Sequence, residues 1–240
     1  MDPYPPDDLL QALADAGRAF GAVPAEGVGR PVAACPGWDV EALAGHVGRI
    51  VRWGAANAAG GGEQVRRRDV PEPPEGAAVL GWVVDGTAEA VAGLAGLADD
   101  RPAWTWAGPG TAGWWRRRLA HELVVHAWDA QAAIGDPAPI AAPLAVDGLD
   151  ELLGVFLPRV DDQPGDDATV HLHATDADGE WLVTFAAGGP TIAHEHAKGD
   201  AAVRGRAEDL LLATWGRVPV DRLERFGQAD LYDRIRAAAT

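Results

Sequence analysis

Arg118-Leu119-Ala120-His121-Glu122-Leu123-Val124-Val125-His126-Ala127-Trp128-Asp129 lies inside a longer run, Trp114 to Ile134, in which apolar residues return every three or four positions. That period predicts a helix, and Gly135-Asp136-Pro137 predicts where it stops. The segment looks like HExxH, but His121 and His126 are five apart, whereas a helix places two histidines on one metal at a spacing of four. Glu122 and His126 do have that spacing, and they share a face with Leu119, Ala130 and Ala133. Two ionisable groups therefore fall within an apolar stripe.

Working outward from this helix, three more segments before residue 136 carry the same period between Gly/Pro loops. Asp7 or Asp8 is positioned to cap a first helix running through Phe20. Asp39, after Cys35-Pro36-Gly37-Trp38, is positioned to cap a second, Val40 to Ala59, which Gly60-Gly61-Gly62 ends. A third, rich in Ala, Val and Leu, runs from Glu75 to Leu97. Four helices of this length predict an antiparallel four-helix bundle, an architecture that builds metal and cofactor sites from inward side chains on facing helices.

Beyond the linker Asp136-Pro137-Ala138-Pro139 the pattern changes. A helix is predicted over Val146 to Leu157. Strands Val170–Ala174 and Trp181–Phe185 flank the turn Asp176-Ala177-Asp178-Gly179 and predict a hairpin. Further strands are expected at Thr191 to His196 and Ala201 to Arg204, and helices at Glu208 to Trp215 and Ala229 to Ala238. The fold class is therefore α+β, with a helical bundle over residues 1–138 and a small α/β domain over 139–240.

Composition narrows the partners. The net charge of −16, from 20 Lys+Arg against 36 Asp+Glu, opposes a phosphate backbone or an anionic membrane surface, so neither nucleic acid nor membrane is expected as a partner. No run of about 18 uncharged apolar residues occurs, and the opening MDPYPPDDLL lacks the basic and apolar regions of a signal peptide. A cytoplasmic protein, monomeric or a small homo-oligomer, is expected. Cys35 is the only cysteine, which excludes an internal disulfide and a cysteine-rich zinc knuckle and leaves any metal to His and carboxylate ligands. Lys198 is the only lysine and Asn57 the only asparagine, a bias of GC-rich coding that describes the source rather than the fold.

Burying Glu122 and His126 is costly unless each is paired or coordinated, so the fourth helix holds either a Glu–His ion pair or two ligands of a metal. Arg118, four residues before Glu122, offers a pairing that would compete with a metal. His46 lies mid-helix on an apolar face with Leu43, Val47 and Ile50. An isolated histidine there would more often be a packing residue; opposite an inward Glu/His pair it is a candidate third ligand. Two His and one carboxylate leave the fourth zinc position open, the arrangement of catalytic rather than structural sites.

Cys35-Pro36-Gly37-Trp38-Asp39-Val40 followed by Leu43 and His46, and His121 through Asp129, resemble two motifs of the mycothiol-dependent maleylpyruvate isomerase family. That family begins with a DinB-like four-helix bundle. The resemblance continues through His171-Leu172-His173-Ala174-Thr175-Asp176 with Glu180-Trp181, Ala207 to Leu212, and Trp215-Gly216-Arg217-Val218-Pro219. It implies that His46, Glu122 and His126 hold zinc or another divalent metal, with water or substrate thiol in the fourth place. It also implies that the α/β domain contributes to the active-site cleft, with Arg217 the best-fitting arginine. In the family's reaction mycothiol, bound to zinc as thiolate, adds to a conjugated double bond, permits rotation and is eliminated; a free thiol titrates near about 8.5, and a metal deprotonates it at neutral pH. Many relatives of this pattern resemble thiol S-transferases instead, so the substrate stays open. A metal-dependent hydrolase, for which no dedicated general base is apparent, and a non-catalytic metal- or ligand-binding protein are the rival readings.

Other signals fit ordinary structure. His171 with His173, and His194 with His196, each place two imidazoles on one strand face and raise the idea of a second metal site, with half-exposed sheet positions as the favoured reading. Eight of the ten Trp residues precede residue 130 and should be mostly core, some of them walling a ligand pocket. Arg66-Arg67-Arg68 and Arg116-Arg117-Arg118 read as solvated faces, Asp176 and Asp178 as turn formers, and Cys35 as a packing residue.

Overall fold

Asp39 accepts a hydrogen bond from the backbone N–H of Ala42 at 2.9 Å and starts helix α2 (Val40–Ala59) at the predicted residue. In this computed structural model, which describes residues 4–161, 163–228 and 230–239, three other long helices accompany it. Helix α1 (Pro6–Gly21) begins with Pro6 in its first turn and has no side-chain cap; Asp7 and Asp8 lie inside that turn, where negative charge favours the helix dipole. Helix α3 (Ala78–Ala95) starts three residues after the predicted Glu75, since Gly76 takes a φ of +63° that a helix does not allow, and it ends two residues before Leu97. Helix α4 (Ala112–Ile134) is capped by Thr111, whose hydroxyl accepts from the Trp114 N–H, and ends at Gly135 in the left-handed conformation.

The four helices form a bundle in which α1 packs on α3 and α4, and α2 packs on α3 and α4. Leu13, Phe20, Leu43, Val47, Leu119 and Leu123 are fully buried between them. Gly54 is the close-approach position: a Cβ there would lie 2.7 Å from Leu119 and 2.8 Å from Trp115, so the missing side chain lets α2 come down onto α4. By length and composition α3 could cross a membrane, yet it carries Asp85 and Glu89 and packs inside the bundle. A two-stranded hairpin, β1 (Pro102–Thr105) and β2 (Gly108–Thr111), precedes α4. Sequence reasoning missed it because four-residue strands framed by Pro and Gly read as loop.

The chain divides into two compact units, Pro5–Ala138 and the part from Pro139 onward. In the second, α5 (Ala142–Glu151) begins four residues before the predicted Val146, with Pro143 tolerated in its first turn, and continues as a π turn over Leu152–Phe156. Strands β3 (Thr169–Ala174), β4 (Glu180–Ala186), β5 (Gly189–Ala193), β6 (Ala201–Gly205) and β7 (Glu224–Gly227) form one sheet in the order β5-β4-β3-β6-β7. All pairs are antiparallel except β3 with β6. One sheet face is core, with Val170, Leu172, Trp181, Val183, Phe185 and Val203 all buried. Helix α6 (Ala207–Thr214) packs on α5, and α7 (Leu231–Arg236) packs on β3 and β6. Ala229, the predicted start of that last helix, lies outside the described residues. Two expectations need correction. Strand β5 stops at Ala193, so His194 and His196 leave the sheet and do not share a strand face. The edge strand β7, exposed along its whole length, lacks the apolar alternation that would have revealed it.

Candidate metal centre

Helix α2 carries His46 and helix α4 carries Glu122 and His126, and the packing of these two helices brings all three side chains together. Glu122 Oε1 lies 3.3 Å from His46 Nε2 and 3.6 Å from His126 Nε2. The two imidazole rings stand nearly perpendicular, at 83°, with centroids 5.8 Å apart. Ligand atoms around a tetrahedral zinc ion sit roughly 3.4 Å from one another, close to both oxygen–nitrogen distances here, and all three donor atoms lie within 4.8 Å of one another. Two imidazole nitrogens and one carboxylate oxygen also form a donor set suited to a divalent transition metal once His126 has lost its proton.

The surroundings hold these donors in place. Arg118 NH2 donates to Glu122 Oε2 at 2.8 Å, the ion pair the spacing of four allowed, while Oε1 faces the histidines. On its far nitrogen, Nδ1, His126 meets the fully buried Asp129 Oδ2 at 2.9 Å. A buried carboxylate there fixes the tautomer that leaves Nε2 facing Glu122. Burial alone would raise the Glu122 carboxyl, but the His46 hydrogen bond and the charges of Arg118, His126 and His46 hold it well below the ordinary carboxylate range. Burial would likewise lower His126, yet hydrogen bonds with Asp129 and Cys35 and the charges of Glu122 and Asp129 raise it to about 9.

His121, the histidine excluded by helical phase, is 4% exposed and lies outside the cluster. Cys35 departs from its expected role as plain packing: its sulfur, a His126 nitrogen and an Asp129 oxygen lie within 4.8 Å of one another, and the thiol helps raise the His126 pKa. The Asp129 contact was missed as well, although His126 and Asp129 at i and i+3 on one helix were a legible signal. Trp38 lies against His46 with ring centroids 5.0 Å apart. Both line a cleft of about 520 Å³ in the bundle unit, together with Arg49, Trp53, Arg67 and Val79. Of the tryptophans, Trp53 and Trp115 stack edge to face in the core at 5.2 Å, while Trp38 and Trp53 wall the cleft. In the second unit Arg217 follows Gly216, which has a φ of +73°, and its guanidinium donates to the Trp215 carbonyl at 2.7 Å.

A four-helix bundle in which His46, Glu122 and His126 converge, followed by a mixed-sheet domain, defines a two-unit α+β protein with one candidate metal site in the bundle. The family model for the mycothiol maleylpyruvate isomerase N-terminal domain matches residues 3–131, and that for the MDMPI C-terminal domain matches residues 143–234. The chain therefore belongs to the mycothiol-dependent maleylpyruvate isomerase family. Among solved structures it is similar to a histidine-to-alanine mutant of the mycothiol-dependent maleylpyruvate isomerase, with a TM-score of 0.66 and 14% identity over 94% of this chain and 95% of that one. It is also similar to the unmutated enzyme, with a TM-score of 0.58, 14% identity and the same coverage. These likenesses establish the shared fold. No curated protein matches the sequence.

Proposed function

We propose that the chain is a metal-dependent enzyme that uses a low-molecular-weight thiol, mycothiol, on a small electrophilic substrate. The reaction is either a cis–trans isomerisation like that of maleylpyruvate isomerase or a thiol S-transfer. The observation that carries this reading is the convergence of His46, Glu122 and His126 at ligand spacing, with three protein donors and therefore an open position. A zinc ion bound there would lower the pKa of a thiol so that it reacts as thiolate at neutral pH.

The chain's own residues then do the following. His46, Glu122 and His126 hold the metal, Asp129 and Arg118 orient two of these ligands, and the cleft beside His46 and Trp38 receives the small molecules. In the isomerisation the thiol adds to a conjugated double bond and is later expelled, so it is regenerated in each cycle. We assign Arg217 to the anionic group of the substrate, supported by its place within the matched C-terminal domain and by the bidentate geometry of arginine. The acidic composition and the free Cys35 support a cytoplasmic protein, monomeric or a small homo-oligomer, whose partners are small molecules rather than nucleic acid or membrane.

Metal analysis combined with a thiol screen tests the proposal. Mycothiol, glutathione, cysteine and bacillithiol are offered to the purified protein with maleylpyruvate and with generic electrophiles. Turnover that requires both the metal and mycothiol supports the proposal. Thiol-independent hydrolysis would replace it with the hydrolase reading, and bound metal without turnover would replace it with a binding role.

A further inference from the structure

The alternation of β3 puts Val170, Leu172 and Ala174 into the core and therefore sends His171 and His173 to the opposite face of the sheet. In the β3–β4 register His173 lies directly across from Glu180, and His171 lies across from Leu182, which makes Glu180 its diagonal neighbour. The strand order adds a third residue. To pass from β5 to β6 the chain must travel over β4 and β3, about 14 Å at the usual strand spacing, and residues 194–200 make that crossing. His196 rides on this segment and comes down on the same face, with its ring 5.1 Å from that of His171 at 86°.

The result is one carboxylate among three imidazoles. Glu180 Oε1 lies 2.5 Å from His173 Nδ1, and its two oxygens lie 3.0 and 3.1 Å from His196 Nδ1. His171 Nε2 is 3.9 Å from Glu180 Oε2 and, among the described residues, has no hydrogen-bond partner, although His171 is only 7% exposed. An imidazole nitrogen buried and unpaired is unfavourable, and the sheet pairing that aims it at Glu180 cannot relax without a change of register. Burial also lowers the His171 pKa, which keeps the ring in the neutral form that ligates metals. His194, by contrast, turns away to Asp150 Oδ1 at 2.5 Å and takes no part.

We propose that His171, Glu180 and His196 form a second metal site, independent of the helical bundle, that takes one divalent transition-metal ion of the imidazole-preferring kind, such as zinc, cobalt or nickel. One ligand atom from each of the three lies within 4.8 Å of the other two, so a small contraction reaches the roughly 3.4 Å separation of tetrahedral coordination. His173 serves as the supporting residue, holding Glu180 through Oε1 as hydrogen-bonded carboxylates are held around metals. The fourth position has room, since a pocket of about 420 Å³ lined by His171, His196, Lys198 and Phe226 adjoins the cluster. An ion here fastens the 194–200 crossing to β3 and β4.

The test is a metal count on the full-length protein stripped with a chelator and titrated with cobalt(II), read by its visible absorption, and with zinc, read by calorimetry. His196 has a 79% exposed side chain, so His196→Ala removes a ligand without touching the core. His196→Ala and Glu180→Gln are each expected to lose one equivalent relative to the unsubstituted chain, and His173→Ala to weaken that equivalent by about 10–100-fold. In a His46→Ala/His126→Ala background the sheet site is expected to remain, and adding His196→Ala is expected to abolish it. The proposal is overturned if His196→Ala and Glu180→Gln bind as many equivalents as the unsubstituted chain with unchanged affinity. A bundle that binds no metal would instead leave one equivalent that these same variants remove, so failure of one site is distinguishable from failure of the other.

Discussion

One proton on His126 should push two observables in opposite directions. In the metal-free protein His126 is raised to about 9, whereas an exposed histidine titrates near 6.5. The raised value means that the folded state favours the protonated ring. That contribution is fully present below about pH 6.5 and disappears as pH rises through about 9; the interval amounts to roughly 3 kcal/mol, at about 1.4 kcal/mol per pH unit. A metal must displace the same proton, so at about pH 7 its apparent affinity should be roughly 100-fold weaker than above pH 9, with about one proton released per ion. Chelator-stripped protein should therefore lose stability over the range in which metal affinity grows. Denaturant unfolding across pH measures the first quantity, and calorimetry in buffers of different ionisation enthalpy measures the second. Asp129→Asn supplies the perturbation, because it removes the leading hydrogen-bonded charge on Nδ1 and should move both midpoints down toward about 6.5. Metal affinity that stays flat from about pH 6 to about 9, or an Asp129→Asn variant with unshifted profiles, would refute the reasoning.

Further outcomes follow from the same geometry. His46→Ala, Glu122→Ala and His126→Ala should each empty the bundle site, while His121→Ala keeps its metal; equal metal loss in the His121 variant, read by elemental analysis of folded protein, would sink the ligand set. Cys35→Ser should keep the metal and most of the thiol-dependent turnover, because serine can still hydrogen-bond His126 and the attacking sulfur is external. Loss of activity with fold and metal intact would make Cys35 itself the nucleophile. Arg217→Lys should raise KM or lower kcat with metal content unchanged, and full activity would reduce Arg217 to its contact with the Trp215 carbonyl.

The bundle was legible because its boundaries are written in single residues. Asp39 before Val40, Gly60 after Ala59 and Gly135 after Ile134 each mark a helix end by a local rule that tertiary packing did not override. The approach of Glu122 to His126 was legible for a similar reason, since a spacing of four on one helix fixes a shared face before any packing is known. What stayed hidden depends on partners distant in sequence. Cys35 meets His126 through the fold of an irregular segment, and no spacing rule connects positions 35 and 126. The His171, Glu180 and His196 cluster needed both the β3–β4 register and the course of the β5–β6 crossing, and the sequence supplied the histidines without either. Pairing His194 with His196 failed because strand β5 ended sooner than its composition suggested.

The hold that Arg118 has on one oxygen of Glu122 bears on how that carboxylate could meet an ion. With Oε2 engaged, Glu122 is biased toward offering an ion the single oxygen Oε1, and the two imidazoles can offer one nitrogen each. A hard cation such as calcium, which collects six to eight oxygens and favours two-oxygen carboxylate binding, is poorly served by such a set. A small borderline ion content with four partners is well served. If the bundle holds an ion as proposed, the arginine would act as a filter on which element it accepts, and replacing it with a neutral residue would free the second oxygen and loosen that choice.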